Sequence, residues 1–536
     1  MKGEIFQIEK SGSPSHGDPG LNADTQLLTR GASGWHPKVF IKTFGCQMNR
    51  SDSELMAALL AKDGYEVARD VQSADVVLLN TCSVRKHAEE KVWSELGRLG
   101  ILKEEKGALI LGVCGCMAQR EGKEIVRRAP FVDVVCGPHN FGRIVELIDR
   151  AKRNGKAVVD VGESEEVFPS GEVTVPGGNG RINAWVSIMR GCNNFCAYCV
   201  VPYLRGREKS RPAEDIVKEI EGLVKTGIKE VTLLGQNVNS YRYRPQITED
   251  RGQTAKHREQ KTEHRSQTID YRLQDINYRI QNTEDRERKT EAYRTQNTEH
   301  RSQTIDEGMP AVGFVDLLRM VNTVEGLERA RFVTSHPRDM TEEILRVVSD
   351  SEKICEHLHL PLQAGSDRIL KMMNRGYTQE YYRKLAQKAR EIIPGVAIST
   401  DLIVGFPGET DADFEETLKM IRDVQFSGSF IYKYSPRPGT AAMNMEGEIP
   451  EEVKKARLRR VEVLQKQICL NRNQELIGKR VEVLIEGPSK KEAHKLSGRT
   501  RDNRIVIAEG KKELIGKLVS VKIIEVSAWT LYGELL

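Results

Sequence analysis

The sequence lacks any long apolar run. No stretch of its 536 residues approaches the roughly 18 uninterrupted apolar residues of a membrane-spanning helix, which excludes a helical membrane protein. Residues Met1–His36 are polar and glycine-rich, and they lack the apolar core of a signal peptide. We therefore expect a cytoplasmic protein with no membrane partner. In that compartment the ten cysteines stay reduced, so their spacing indicates metal or redox chemistry rather than disulfides.

The chain also lacks a large excess of charge of either sign, because 82 Lys or Arg residues nearly balance 77 Asp or Glu residues. The formal excess of +5 permits a nucleic-acid partner without requiring one. Hydrophobic residues make up only 39% of the chain, and one segment accounts for part of this deficit.

That segment is Arg244–Gly308, which contains no Val, Phe, Trp, Met or Cys. It carries the sequence TEHRSQTID twice, at Thr262–Asp270 and at Thr298–Asp306. Each copy has too few apolar residues to form a core, so we predict a disordered or weakly helical surface insertion over 244–308. A tolerated insertion is favoured over an additional RNA-binding arm, because surface loops accept extra length at small cost.

Alternating strand and helix patterns predict an α/β protein of three domains. A disordered leader over 1–36 precedes a parallel βα domain over 37–153, and a linker follows at Gly162–Gly180. A second series over 178–450 is typical of a partial, TIM-like parallel βα barrel, whose ligands bind at the C-terminal mouth of the strands. Residues 472–536 alternate like a small β-barrel. The candidate strands of the two βα series are Val39–Thr43, Val76–Asn80, Ala108–Gly112, Val132–Val135, Ala184–Met189, Glu230–Leu234, Arg331–Thr334, His357–Leu360, Ala397–Leu402 and Phe430–Tyr434.

A first cysteine triplet lies in GCNNFCAYC, where Cys192, Cys196 and Cys199 form a CxxxCxxC pattern. The pattern follows the first predicted barrel strand, which places it on a loop at the barrel mouth. Three thiolates can hold a 4Fe–4S cluster and leave one iron open, here for the amino and carboxylate groups of S-adenosylmethionine. The alternative is a structural zinc site, which uses four ligands and shorter CxxC spacing, and no fourth Cys or His lies nearby.

A second triplet is dispersed, with Cys46, Cys82 and Cys116 separated by 36 and 34 residues. Each follows a predicted parallel strand, and the C-terminal ends of such strands share one edge of the sheet. The three thiols can therefore converge on a second 4Fe–4S cluster, although any one alone would be interpreted as a small buried hydrophobe. The other cysteines are interpreted as packing, core or surface residues: Cys114, Cys136, Cys355 and Cys469.

With these motifs the chain resembles the methylthiotransferase family of the radical S-adenosylmethionine superfamily. The resemblance runs from about Lys38 to Leu536 and includes a terminal segment similar to the RNA-binding TRAM domain. The stretches that carry it are TFGCQMNRSDS (Thr43–Ser53), LLNTCSVRKHAEEKV (Leu78–Val92), GVCGCMAQREG (Gly112–Gly122), MRGCNNFCAYCVVPYLRGRE (Met189–Glu208), LLGQNVNSY (Leu233–Tyr241), FVTSHPRDM (Phe332–Met340), HLPLQAGSDRILKMMNRGYT (His359–Thr378), DLIVGFPGET (Asp401–Thr410) and YSPRPGT (Tyr434–Thr440).

The resemblance implies methylthiolation of C2 of N6-dimethylallyladenosine next to the anticodon in tRNA. The Cys192–Cys199 cluster would generate the adenosyl radical from S-adenosylmethionine, and the second cluster would carry the sulfur. A second S-adenosylmethionine would supply the methyl group, so two are used per turnover. An external electron donor and a sulfur donor are implied as partners, and we expect a monomer.

Other functions stay open at this point. The resemblance also permits a methylthiotransferase acting on threonylcarbamoyladenosine in tRNA or on an aspartate of a ribosomal protein. The stretches TSHPRDM and CSVRKHAEEKV favour dimethylallyladenosine. From other classes of protein, a non-catalytic iron–sulfur carrier that binds RNA and a zinc-binding RNA module are the alternatives.

Further candidate contacts come from three segments. Gly235, Gln236 and Asn237 follow the second barrel strand, where the superfamily contacts the methionine part of its cofactor. Gly405, Pro407 and Gly408 form either a cofactor-side loop or an ordinary turn. Residues 472–536 hold 13 Lys or Arg and nine Asp or Glu, which suits phosphate contacts or an ordinary solvated loop. The candidate RNA-binding residues are Lys490, Lys491, Lys495, Arg499, Arg501 and Arg504.

Overall fold

The computed structural model describes residues 36–83, 86–163, 181–244 and 311–536. The predicted leader, linker and insertion fall almost entirely outside these ranges. Within the described ranges, no helix combines the length and the apolar composition needed to cross a lipid bilayer.

The first domain is a six-stranded parallel sheet flanked by helices, with the spatial order β2-β1-β3-β4-β5-β6. Its strands are β1 (Lys38–Thr43), β2 (Glu66–Val67), β3 (Val76–Thr81), β4 (Ile110–Gly115), β5 (Val134–Cys136) and β6 (Val158–Asp160). Its helices are α1 (Gln47–Lys62), α2 (Lys86–Lys106), α3 (Cys116–Glu121), α4 (Lys123–Arg128) and α5 (Ile144–Asn154).

The four strands predicted in this domain are confirmed, with bounds shifted by up to three residues. The edge strands β2 and β6 went unpredicted, because two or three residues are too few to show a strand period. The chain after β4 forms two short helices rather than one continuous helix. The helical run begins at Cys116 and breaks at Gly122, whose φ of +51° lies in the left-handed region that glycine adopts readily.

The second domain is an open parallel barrel made of two three-stranded sheets, β7-β10-β13 and β14-β15-β16, joined by a bridge between Ala330 and Ile354. The barrel strands are β7 (Asn183–Ser187), β10 (Glu230–Leu234), β13 (Arg329–Phe332), β14 (His357–His359), β15 (Ala397–Val404) and β16 (Gly428–Lys433). Two short antiparallel ribbons pair β8 (Met189–Arg190) with β9 (Lys209–Ser210) and β11 (Arg242–Tyr243) with β12 (Val312–Gly313). The helices are α6 (Val201–Leu204), α7 (Ala213–Lys225), α8 (Phe314–Asn322), α9 (Glu342–Asp350), α10 (Asp367–Met372), α11 (Gln379–Ile392), α12 (Asp411–Val424) and α13 (Glu451–Gln474).

All six predicted barrel strands are present, five of them with bounds shifted by up to two residues, and two of these shifts have a clear local reason. The strand predicted over Arg331–Thr334 starts two residues earlier and ends at Phe332, and Thr334 has a φ of +69° that no strand allows. The strand predicted over Ala184–Met189 stops at Ser187, because Met189 begins the ribbon that carries the first cysteine loop.

The terminal module is a closed five-stranded β-barrel with the order β17-β18-β19-β21-β20. Its strands are β17 (Arg480–Pro488), β18 (Lys495–Thr500), β19 (Ile505–Glu509), β20 (Leu518–Val526) and β21 (Thr530–Leu535). The predicted alternation is confirmed, because alternate residues pack in the barrel core: Val481, Val483 and Ile485 of β17, and Val519, Val521 and Ile523 of β20.

Three arginines fix the terminal barrel to the second domain. Arg329 is fully buried and donates to the Glu482 carboxylate at 2.7 Å, and Arg331 donates to the carbonyl at the end of β18 at 2.8 Å. Arg501 donates to both carboxylate oxygens of Glu356 at 2.7 Å. Because these partners lie where β13 and β14 begin, the terminal barrel sits at the opposite end of the strands from the cysteine loops.

Candidate active site

The first cysteine triplet lies on a loop whose base is closed by the β8–β9 ribbon. Gly191 has a φ of +80°, and an added Cβ would lie 2.0 Å from the Arg207 carbonyl oxygen, so only glycine fits there. The Gly191 N–H donates to the Gln236 side chain at 2.5 Å. The Ala197 N–H donates to the Met373 carbonyl at 2.9 Å, so the loop is held from both sides.

The thiols of this loop are close enough for their charges to interact. Burial raises the pKa of Cys192 to about 11 and the pKa of Cys199 to about 12, and the nearby Cys196 adds to both shifts. Three thiolates in such a place need a positively charged centre, because burial and mutual repulsion both disfavour them. The Cys196 sulfur also receives an N–H donor, since Arg375 Nη1 lies 3.2 Å from it. This donor set fits an iron–sulfur cluster with three protein ligands.

The second triplet is assembled at the C-terminal ends of adjacent strands. Cys46 precedes α1, Cys82 follows β3, and Cys116 begins α3 directly after β4. Gly45 packs so closely on Cys82 that an added Cβ would lie 2.6 Å from the Cys82 Cβ. Burial raises the pKa of the Cys116 thiol, and the charge of Cys46 raises it further. The structure therefore brings these three cysteines to one sheet edge.

Asn49 links the strands that carry this triplet. Its side-chain amide donates to the Thr81 carbonyl at 2.7 Å, and its side-chain oxygen accepts from Cys46 Sγ at 3.1 Å. Asn80 donates in return to the Asn49 carbonyl at 2.7 Å. These bonds hold the start of α1 against the end of β3, so Cys46 and Cys82 keep a fixed relation.

Neither triplet is arranged as a single-ion site. In the described part of the chain, no three His, Cys, Asp or Glu side chains are close enough to ligate one metal ion. A single zinc ion requires thiolates about 3.8 Å apart, because each Zn–S bond of its tetrahedron is about 2.3 Å long. A four-iron cluster is a larger body with more widely separated ligands, so this finding concerns a single ion and not a cluster.

The two triplets meet at the contact between the first domain and the barrel. Cys116 forms a small buried cluster with Val200 and Leu204, and Val200 directly follows Cys199 in the chain. Arg205 reaches Cys116 Sγ with its Nε at 3.3 Å. Cys116 of the second triplet therefore lies in an apolar contact with the segment that directly follows the first triplet, whereas Cys46 is exposed and Cys192 and Cys199 are partly exposed.

The predicted cofactor residues have clear structural contacts. Gln236 accepts from Gly191, and Asn237 donates to the Asp339 carboxylate at 2.8 Å, so the loop after β10 is tied to its neighbours. Gly235 packs on Met189, where an added Cβ would lie 2.6 Å from the Met189 Cγ. Their contact with S-adenosylmethionine stays a prediction.

The predicted loop after β15 is a tight turn. Gly405 and Gly408, which flank Pro407, both have a positive φ, of +73° and +74°. The Gly408 N–H donates to the Gly447 carbonyl at 2.7 Å. This geometry accounts for the glycines as turn residues, and a cofactor role for the loop stays a prediction.

The six predicted RNA-binding residues do not form one patch of free cations. Lys490 and Lys491 are exposed. Lys495 pairs with Glu492 at 2.6 Å, Arg499 with Glu486 at 3.3 Å and Arg504 with Asp502 at 2.6 Å. Arg501 is engaged by Glu356 of the barrel. Contact of these residues with RNA stays a prediction, and the two exposed lysines are its best-placed members.

Sequence reasoning missed the arginines that approach the sulfurs. Arg375 lies beside Cys196, Arg205 beside Cys116, and Arg437 is near enough to Cys82 for their charges to interact. All three lie in the stretches that carry the family resemblance, in MMNRGYT, YLRGRE and YSPRPGT. Their position in these stretches was the signal in the sequence that could have identified them. No spacing rule, however, indicates which sulfur each arginine contacts.

Three family models match the chain in the order of its domains. They are the Uncharacterized protein family UPF0004 over residues 38–137, the Radical SAM superfamily over 186–278 and 265–421, and the TRAM domain over 474–536. The last two agree with the open barrel and the closed terminal barrel of the structure.

Curated relatives are similar along nearly the whole chain. A tRNA-2-methylthio-N(6)-dimethylallyladenosine synthase of Clostridium tetani (strain Massachusetts / E88) is 43% identical, covering 92% of this chain and 95% of the relative. Enzymes of the same name from Moorella thermoacetica and Syntrophomonas wolfei are 43% and 44% identical, covering 92% and 93% of this chain and 97% of each relative. On this identity and coverage, the chain belongs to the family of tRNA-2-methylthio-N(6)-dimethylallyladenosine synthases.

Proposed function

We propose that this chain is a radical S-adenosylmethionine methylthiotransferase. It places a methylthio group on C2 of N6-dimethylallyladenosine next to the anticodon in tRNA. The observation that carries the proposal is the meeting of two cysteine triplets where Cys116 packs on Val200 and Leu204. The relatives that bear the name of this tRNA enzyme support the substrate. A C2–H bond of adenine is neither acidic nor electrophilic, so general acids and bases alone would not replace it.

Each triplet holds one 4Fe–4S cluster in this proposal. Cys192, Cys196 and Cys199 hold the radical-forming cluster, and Cys46, Cys82 and Cys116 hold the cluster that carries sulfur. When bound, the two clusters and two molecules of S-adenosylmethionine per turnover supply the radical, the sulfur and the methyl group.

The chain's own residues orient and shield these groups. Arg375 donates to Cys196 Sγ at 3.2 Å and to the Pro361 carbonyl at 3.0 Å, which fixes the thiolate relative to the loop after β14. Val200 and Leu204 exclude water from Cys116, since each is less than a tenth exposed. Water exclusion matters because a reactive radical or sulfur species would otherwise be lost to solvent.

The finer organisation is also proposed here. We assign residues 37–153 to the sulfur-carrying domain, 178–450 to the radical domain and 472–536 to the RNA-binding domain, with S-adenosylmethionine against Gly235–Asn237. Lys490 and Lys491 would contact tRNA phosphates, because their ammonium groups are exposed. The protein would act as a cytoplasmic monomer that receives electrons from an external donor and sulfur from a sulfur donor.

The test is anaerobic reconstitution of the full chain with iron and sulfide, followed by a reductant, S-adenosylmethionine and tRNA carrying dimethylallyladenosine. Digested nucleosides are read by mass spectrometry, and 5′-deoxyadenosine is measured in parallel. The matched control is the same tRNA without the dimethylallyl group. Two further arms offer tRNA carrying threonylcarbamoyladenosine and a ribosomal protein with the aspartate target.

The expected result is a methylthio group on dimethylallyladenosine alone. If the methylthio group appears instead on threonylcarbamoyladenosine or on the ribosomal protein, that molecule is the substrate of the chain. Formation of 5′-deoxyadenosine without any product would keep the radical chemistry and reject the substrates. If protein with both clusters yields neither, the chain is not this enzyme, and the iron–sulfur carrier becomes the better assignment.

A further inference from the structure

A buried group of charges joins the second triplet to the barrel. Asp52 of α1 has a side chain only 1% exposed, and it accepts from Arg205 Nη2 at 2.7 Å and from Arg190 Nη2 at 3.1 Å. Both arginines belong to the barrel segment and are also buried. Charges buried this deeply persist only with good partners, because removal from water is costly. The Asp52 carboxylate, which binds Arg205 directly, therefore fixes the orientation of the Arg205 guanidinium.

Arg205 uses its other donors near the thiols. Its Nε lies 3.3 Å from Cys116 Sγ. Its Nη1 is buried and has no acceptor among the residues that the structure describes. A buried N–H without an acceptor costs free energy, so the unpaired donor indicates an acceptor that the described chain does not itself provide.

We propose that Arg205 is a positioning residue of the centre held by Cys46, Cys82 and Cys116, with Nε bound to the Cys116 sulfur and Nη1 donating to a second anionic sulfur of that centre. The inference rests on the proposed function, because it requires a cluster on this triplet. Asp52 holds the guanidinium through Nη2, so the two remaining donors point in fixed directions. A lysine at this position would keep the charge but not the planar set of donors.

The electrostatic consequence is specific to one cluster. N–H donors and positive charge at the sulfurs of a cluster make its reduction potential less negative, because they stabilise the added electron. Arg205 contacts the second triplet, whereas Arg375 contacts Cys196 of the first. Removing Arg205 should therefore shift the potential of the sulfur-carrying cluster and leave the other unchanged.

The experiment uses the full chain, reconstituted anaerobically, as the wild type and as the variants R205Q, R205K, D52N and R190K. The midpoint potential of each cluster is measured by redox titration followed by electron paramagnetic resonance. Addition of S-adenosylmethionine identifies the first cluster, because only its signal changes on binding. R190K serves as the control, since Arg190 shares the Asp52 carboxylate and lysine keeps its charge.

We expect a more negative potential for the second cluster in R205Q, a smaller shift in R205K and none in R190K. Release of iron from that cluster to a chelator should be about 10- to 100-fold faster in R205Q. If R205Q does not fold, R205K decides by the same readouts. An unchanged second potential in folded R205K or R205Q overturns the inference, and so do equal shifts in R205Q, D52N and R190K.

These results separate the inference from the proposed function. If the wild type holds about eight iron atoms and the potential of its second cluster does not change in the Arg205 variants, the proposed function stands and the role of Arg205 is rejected. Wild-type protein that reaches only about four iron atoms has no second cluster, which rejects both.

Discussion

The two cysteine triplets are built in opposite ways. Cys192, Cys196 and Cys199 lie within eight residues on one loop, whose shape depends on Gly191 and on the ribbon at its base. The dispersed triplet comes from three loops after β1, β3 and β4, and its shape depends on the pairing of those strands. A local site requires only its own turn, whereas a dispersed site exists only after the sheet has formed.

The two triplets also differ in the origin of the arginine that contacts them. The local triplet receives Arg375 from the same barrel, but the dispersed one receives Arg205 from a different domain. Correct geometry at Cys116 therefore requires that the first domain be docked on the barrel. The following predictions test this separation.

The largest effect is expected from Cys199→Ala. Loss of one of three ligands on the local loop should reduce both 5′-deoxyadenosine and methylthiolated tRNA to background, because the radical is the first requirement of the reaction. Both products are measured by mass spectrometry after anaerobic reconstitution. The control is Cys469→Ala, which removes a thiol that is buried on α13 and contacts the Ser427 carbonyl. Retention of methylthiolation in Cys199→Ala would contradict the assignment.

Cys82→Ala should separate the two activities. We expect methylthiolation to fall to background while 5′-deoxyadenosine still forms, because the local triplet keeps its own cluster. The iron content should fall from about eight to about four atoms per chain. Cys114→Ala is the matched control, since Cys114 is fully buried in the adjacent strand and is not an assigned ligand. Loss of 5′-deoxyadenosine in Cys82→Ala would show that the two sites are not independent.

Arg375→Lys should have an intermediate effect on the local triplet. Lysine keeps a positive charge but cannot contact Cys196, Tyr377 and the Pro361 carbonyl together, as the guanidinium does. We expect the rate of 5′-deoxyadenosine formation to fall about 10- to 100-fold, which is typical when a partner of a metal ligand is replaced. A wild-type rate at wild-type iron content would show that the contact has no role beyond packing.

The mildest test uses cluster-free protein and the rate of thiol alkylation. Burial, with Glu208 and Cys196 nearby, raises the pKa of Cys192 to about 11. A raised thiol pKa means little thiolate at pH 8, about 0.1% here, so alkylation should rise about tenfold per pH unit through pH 10. The control is the free peptide GCNNFCAYC, whose rate should level off earlier. A plateau for Cys192 below pH 10, measured by peptide mapping, would contradict this environment.

The sequence allowed a prediction of the architecture but not of the contacts between domains. Parallel strands, their order along the chain and the edge that carries Cys46, Cys82 and Cys116 follow from periodicity and from general rules for parallel sheets. The break at Gly122 and the strand over Val158–Asp160 did not, because each depends on one residue or on very few.

The missed site residues have a common physical cause. Asp52 and Arg205 are 153 residues apart, and Arg501 meets Glu356 across 145 residues. In the sequence, a charged residue that forms such a long-range contact looks the same as one that is exposed to solvent. Arg501 illustrates this, because its contact with RNA stays a prediction, whereas its contact with Glu356 had no signal in the sequence.

The β11–β12 ribbon has a practical consequence for engineering. Arg242 pairs with Gly313 and Tyr243 with Val312, so the two ends of the intervening segment are held at the spacing of neighbouring strands, about 5 Å. Closing a loop at this ribbon depends only weakly on loop length, because each doubling of length costs about 0.6 kcal/mol of closure free energy. The ribbon is therefore a candidate graft point, at which the pairing of Tyr243 with Val312 would hold both ends of an inserted purification tag or fluorescent reporter.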